Sequence, residues 1–579
     1  MGIKAQANNF SLAAGAIRLS LLSKTAISTG LLVACSTALS GELKFDVGIE
    51  NTYVKQEVDA TGNYADSSEN IIITPYLGFT YTARDLEASL LAEHNHVRRS
   101  LDDADSTNNY TNFTYNTHYD IIRNLLYVNV RGSQQYNSLN NQTFSVDDFL
   151  LNSEDLTESN YHSGALVLNL PTGNYFGTSA SLSYSSSSSK RESNNDSVTS
   201  GIFSNSDNET YGAQWSLNSG DDIRPISFYW DATAQLSKRN SLGDYKSNYI
   251  SGSIGTIVYR DLSLNLLGSY ETNEVEDTDL NAQGIDSKRE FQSYGIGLRW
   301  QASTDRYIQV GFNKSKTTGD SLDNTSSVDE EDEYISLDTS WQFSPRTILS
   351  AAFYRRFFGD SANVMLSHNL RSWRSRVSYR EDVNTNTQLS QISELGLFVC
   401  DNGAADLAEC TLPDSIDLSN LDAGQIVVPF VETGFELNDN LILRKSLSIQ
   451  SSITRRRTTV SIVGTHSKNE NLEASRITET QSLRFSTLFD ISQRSKLLFN
   501  ANYTENEQTF SEQFGANIVK EASVSFTRQM TRRFYASLGL RYLNRDGDEN
   551  VNIGGISGII GPLTDRRISV SIEYKFSKE

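Results

Sequence analysis

Past residue 40 the chain has no apolar run long enough to cross a membrane as a helix. Proline is scarce, at 7 in 579 residues. That suits extended strands, where each backbone donor is needed for pairing. There are 6 histidines, and none stands at a metal-ligand spacing. No nucleophile elbow, phosphate loop or CxxC pair is present. The segment Asp546–Asn550 has the flavour of a calcium loop but not its spacing. Neither a metal nor a cofactor is therefore expected, and the chain is not expected to be an enzyme. Positive charge is also short: 50 Lys and Arg stand against 71 Asp and Glu, a net charge of −21. Such acidity argues against a nucleic-acid partner.

What the chain has is alternation. In Ile226 to Ser237, the side with Ile226, Phe228, Trp230, Ala232, Ala234 and Leu236 is apolar. Ser227, Tyr229, Asp231, Thr233, Gln235 and Ser237 fall on the other side. A period of two means a β-strand with two unlike faces. Segments of this kind recur to the last residues, and Tyr (27) and Phe (26) are abundant. An apolar, aromatic-rich face against lipid and a polar face against water define a strand of an outer-membrane barrel. The expected fold is all-β, a large antiparallel transmembrane β-barrel of about 24 strands, within roughly 22 to 26. One chain supplies the whole barrel, so a monomer in outer-membrane lipid and lipopolysaccharide is expected.

Residues 1–40 read differently. Lys4, Arg18 and Lys24 precede a short apolar core at 26–39, and Ala38-Leu39-Ser40 suits cleavage. This is the pattern of a signal peptide, with the barrel occupying 41–579. Leu32-Val33-Ala34-Cys35 is an alternative lipoprotein box. Without the leader, 47 basic residues face 71 acidic ones, a net charge of −24. Strands starting near residue 42 leave no room for an N-terminal plug domain, so a TonB-type receptor is not expected.

Connectors alternate too. Short turns at 82–85, 121–124, 171–174, 303–306, 344–346, 454–457, 492–495 and 530–533 are mostly rich in arginine. Between them lie longer acidic stretches at 98–108, 137–158, 189–207, 274–287 and 319–331. The short side is expected to be periplasmic. Headgroup electrostatics accounts for this charge asymmetry, with arginine against anionic phosphates.

Two features point beyond a plain wall. Trp373, Val377 and Tyr379 suit lipid, which places Arg374, Arg376 and Arg380 on the lumen side as an arginine ladder. One of Arg355 and Arg356 must also face inward. Guanidinium groups pair well with carboxylate and phosphate, so the ladder favours anions. The alternative is structural, with these arginines bridging lumen acids. Residues 383–441 form the one long insertion, expected to fold inward as a plug. It holds Cys400 and Cys410, which are expected to pair in an oxidising periplasm or else remain two thiols.

Arg356-Phe357-Phe358-Gly359, then Leu366-Ser367-His368-Asn369, then Trp373-Arg374-Ser375-Arg376-Val377-Ser378-Tyr379 follow a recognisable order. A strand at Leu443-Arg444-Lys445-Ser446-Leu447-Ser448 comes after the insertion. Over about 345–460 the chain resembles the outer-membrane β-barrel proteins associated with the PEP-CTERM/exosortase system. The resemblance implies a Gram-negative envelope protein encoded near exopolysaccharide and protein-sorting genes. It carries no functional residues over. Together these readings lead to an outer-membrane conduit linked to exopolysaccharide export, with an anionic polysaccharide as partner. The alternatives are a general diffusion porin and a sheath around a partner such as a cytochrome.

Overall fold

The computed structural model describes residues 41–575 apart from 61–66, 102–104, 139–149, 151–155, 193–205, 221–225, 240–243, 277–286, 304–305, 321–326, 386–393, 402–409, 412–424, 432–440, 472–475, 511–512, 548–550, 554–555 and 559–561. Residues 1–40, expected to be a signal peptide, and most of the calcium-like segment lie outside the described residues.

The barrel begins with β1 (Glu42–Ala60), β2 (Ser67–Thr82), β3 (Leu86–Leu101), β4 (Asp105–Ile122), β5 (Leu126–Ser138) and β6 (Leu156–Leu170). It continues through β7 (Phe176–Glu192), β8 (Ser206–Ser219), β9 (Ile226–Arg239), β10 (Asp244–Tyr259), β11 (Leu262–Glu276) and β12 (Ser287–Ser303). Next come β13 (Arg306–Asp320), β14 (Ser327–Ser344), β15 (Thr347–Arg356), β16 (Gly359–Asn369) and β17 (Trp373–Thr385). The insertion contributes β18 (Glu394–Asp401), β19 (Cys410–Thr411) and β20 (Gln425–Val431), a separate three-stranded sheet. The wall resumes with β21 (Leu441–Arg455), β22 (Thr458–Asn471), β23 (Arg476–Ser492), β24 (Ser495–Phe510), β25 (Gln513–Thr531) and β26 (Phe534–Gly547). A small hairpin, β27 (Val551–Ile553) and β28 (Ile556–Gly558), precedes the closing strand β29 (Leu563–Lys575).

Neighbours pair antiparallel in sequence order, and β29 returns to β1 from Gly48↔Lys575 to Ala60↔Leu563. The result is a closed sheet of 24 strands. Closure follows from the solvent: an open edge in hydrocarbon leaves backbone groups unpaired, at several kcal/mol each. Ile296, Leu298, Phe312, Leu483, Leu540 and Val570 point outward and are exposed to the lipid zone. Aromatic girdles bound that zone. Trp300–Trp341 and Trp215–Trp230, at 5.7 and 5.2 Å, mark the short-turn side. Tyr184–Tyr211, at 5.2 Å, marks the other. This belt makes the protein an outer-membrane β-barrel, with its short turns periplasmic.

The wall rises well above the membrane. Most of its strands have 13 to 19 residues, against the roughly 9–11 that a bilayer requires. Two stretches read as loops are therefore largely strand. Residues 98–108 complete the β3–β4 ladder, with Ser100 opposite Asp105. The end of the 319–331 stretch runs into β14, whose outer half carries the acidic run Asp329–Glu333. There Lys316 reaches Asp329 at 3.1 Å and Lys314 reaches Glu331 at 2.9 Å. Above the belt both faces meet water, so alternation fades although the ladder continues. Within the insertion, Cys400 and Cys410 are direct cross-strand partners, a spacing within disulfide reach. Much of the remainder of that segment, and the plug expectation with it, lies outside the described residues.

Candidate functional site

Lumen-facing positions from β17 to β26 carry mostly Ser, Thr, Asn and Gln. Arg374, Arg376 and Arg380 all lie on the lumen face of β17, because Trp373, Val377 and Tyr379 take the lipid side. Arg374 stands between Asn369 and Ser452, and Arg376 between Ser367 and Gln450. No ion pair of Arg376 occurs among the described residues. Arg380 differs: its Nη2 donates to Asp382 Oδ2 at 2.7 Å. The ladder thus has Arg374 and Arg376 in the membrane zone and Arg380 at the outer rim, bonded to Asp382. Arg484 and Arg541 add basic groups on the same side of the lumen, the latter bonded to Glu521 at 2.6 Å. Acids gather elsewhere, with Glu50 on β1, Glu93 on β3, Asp231 on β9 and Asp338 on β14.

The outer mouth is narrowed from two directions. On the first, Leu150, from the β5–β6 connection, packs with Val54, Ile72, Val97 and Tyr110, and Tyr136 lies against them. Its carbonyl accepts from Arg99 Nη2 at 2.7 Å. These inward apolar side chains break the polar-in rule, and sequence reasoning missed them. Val54, Ile72 and Val97 on polar faces near the outer ends of three successive strands were the available signal.

The second narrowing is the β15–β16 hairpin. These strands have only 10 and 11 residues. Phe357-Phe358 turns the chain early, and Gly359 supplies the φ of 117° at its end. The hairpin leaves the wall before its tip. Pairing with β14 stops at Leu337↔Phe353, and pairing with β17 stops at Asn363↔Arg380. Arg355 and Arg356 continue as part of the hairpin alone, opposite Asp360 and Gly359. Where the ladder is lost, the amide of Ala362 donates to Glu381 Oε2 at 3.2 Å instead.

The tip goes into the lumen. Arg356 binds Glu271 in a two-point contact, Nη2 to Oε1 at 2.6 Å and Nε to Oε2 at 3.2 Å. Four ladder steps of ~4.8 Å separate β11 from β15 along the wall, about 19 Å. Two side chains cannot span that arc, so the contact needs both the inward lean of the hairpin and the curvature of the wall from β11 to β14. The Arg356 guanidinium also lies 5.7 Å from the Tyr249 ring centroid and 3.6 Å from Asp382 Oδ1. Glu271, Arg356, Asp382 and Arg380 thus form one chain of charges from β11 to β17. Glu271 is fully buried and Phe357 is only 1% exposed, so the tip is covered and not dangling in solvent. Of Arg355 and Arg356, it is Arg356 that points inward to Glu271, while Arg355 pairs with Asp332 at 2.8 Å.

The wall bends sharply beside this site. Asn265 on β11 bonds Gln309 on β13 at 2.8 Å, and Ser293 on β12 bonds Tyr334 on β14 at 2.7 Å. Each contact skips a strand, which requires strong curvature. Gly311 permits it, since a Cβ there would sit 2.6 Å from the Leu267 side chain.

No family model and no curated protein matches this chain. Among solved structures it is similar to the siderophore receptor PirA from Acinetobacter baumannii, at 9% identity and a TM-score of 0.39, over 92% of this chain and 81% of that one. It is similar to BauA, the ferric preacinetobactin receptor from Acinetobacter baumannii, at 8% identity and a TM-score of 0.37, over 92% and 81%. It is also similar to FyuA, the ferric yersiniabactin uptake receptor from Yersinia pestis, at 10% identity and a TM-score of 0.33, over 92% and 80%.

Proposed function

We propose that this barrel is an outer-membrane conduit for a hydrophilic anionic cargo, and that the cargo is an exopolysaccharide handled alongside PEP-CTERM-associated envelope biogenesis. The observation that carries the reading is the lumen face of β17, where Arg374 and Arg376 project among Ser367, Gln450, Asn369 and Ser452. Hydroxyls and amides can exchange hydrogen bonds with sugar hydroxyls, while guanidinium groups hold carboxylates or phosphates. The lumen acids lie mainly on other strands, which leaves this sector to an anion.

Bilayer recordings test the proposal. The wild-type protein should prefer anions under a salt gradient. The double variant Arg374→Ser/Arg376→Ser should move the reversal potential toward cation selectivity, and an unmoved potential removes the arginines from the mechanism. Deleting the gene should abolish surface polysaccharide. Intact polysaccharide with impaired uptake of small solutes would favour a general diffusion porin instead.

A further inference from the structure

We propose that the β15–β16 hairpin is a gate with two defined seats, the lumen seat seen here and a wall seat in which it zips back between β14 and β17. This deepens the conduit reading and rests on it. The vacant wall seat is legible in the register. Beyond Leu337↔Phe353, the same register places Tyr354, Arg355 and Arg356 opposite Ser336, Ile335 and Tyr334. Beyond Asn363↔Arg380, it places Ala362, Ser361, Asp360 and Gly359 opposite Glu381, Asp382, Val383 and Asn384. Among the described residues, no strand occupies either of those edges: β14 is otherwise paired only with β13, and β17 only with β21.

The hairpin can move as a unit, because Arg356↔Gly359 already closes its own ladder around Phe357-Phe358. Ala362 offers the natural fold line. Its amide is capped by Glu381, the residue it would face in the wall seat. The lumen seat is held by the contact of Arg356 with buried Glu271, by burial of Phe357, and by the pairs of Arg355 with Asp332 and Arg356 with Asp382. Swinging out would exchange those for ladder bonds and clear two aromatic rings from the bore. An element with two discrete arrangements, each satisfied by different partners, is the usual basis of a switch.

The test uses the full chain in planar bilayers. In Glu271→Cys/Arg356→Cys, a short bismaleimide bridge should pin the tip in the lumen. The bridged channel should stay at one low conductance level, whereas the unbridged one should switch between a low and a high level. Glu271→Gln, which keeps the side-chain shape, should raise the fraction of time at the high level by at least about ten-fold. As an independent readout, Asp360→Cys/Val383→Cys should cross-link only from the wall seat, and faster when combined with Glu271→Gln. Folding of each variant is verified by heat-modifiable migration. Anion-selective current indifferent to bridging and to Glu271→Gln would overturn the gate and leave the conduit standing. Absence of current from every form would overturn both.

Discussion

Leu298→Arg is expected to abolish most barrel assembly, while Arg299→Leu, one residue away, leaves assembly largely intact. Leu298 points into the lipid zone and is 52% exposed to it. A cation there costs about 2–4 kcal/mol at mid-depth, a large fraction of the roughly 5–15 kcal/mol that holds a typical domain folded. Arg299 faces the lumen, where its guanidinium lies 4.0 Å from the Tyr307 ring centroid. Losing that contact costs about 0.5–2 kcal/mol and puts nothing charged into lipid. The measurement is the fraction of protein in outer-membrane preparations that migrates as a folded, heat-modifiable band. Equal tolerance of the two substitutions would reverse the assignment of the faces.

The second large effect concerns closure. Truncation before Leu563 removes the 13 residues of β29 and should eliminate the folded barrel altogether. β29 is bonded to β1 and to β26 along nearly its whole length. Its loss opens two edges, and each unpaired backbone group in hydrocarbon costs several kcal/mol. Replacing residues 386–440 by a short turn deletes far more chain and should spare the barrel. The β17–β21 ladder is complete without them, from Trp373↔Ile453 to Thr385↔Leu441. Folded protein from the truncation, or none from the loop replacement, would contradict the view that pairing within the wall alone sets assembly.

Within the membrane zone the faces were legible in the sequence, because lipid and water impose opposite demands on adjacent residues. Ile226 and Trp230 face lipid as their spacing indicates, and Arg374 and Arg376 share the other face of β17. Outside that zone the rule loses its force. Asp329–Glu333 looks like a loop because neither face is apolar, yet it continues β14. Nothing local in Arg356-Phe357-Phe358-Gly359 indicates a turn that leans into the lumen. The length of the hairpin held a clue: strands of 10 and 11 residues sit among neighbours of 18 and 13.

Local pattern in the sequence was enough for a membrane barrel of about 24 strands with its short turns periplasmic, and the sheet pairing made the number 24. Those properties follow from alternation within each membrane-zone strand and from the lengths of the connectors between strands. Only the tertiary structure decided what occupies the bore. The contact between Glu271 and Arg356 joins residues 85 positions apart on strands that never pair. No local pattern encodes such a meeting, because it depends on curvature at β11–β14 and on a hairpin leaving the sheet.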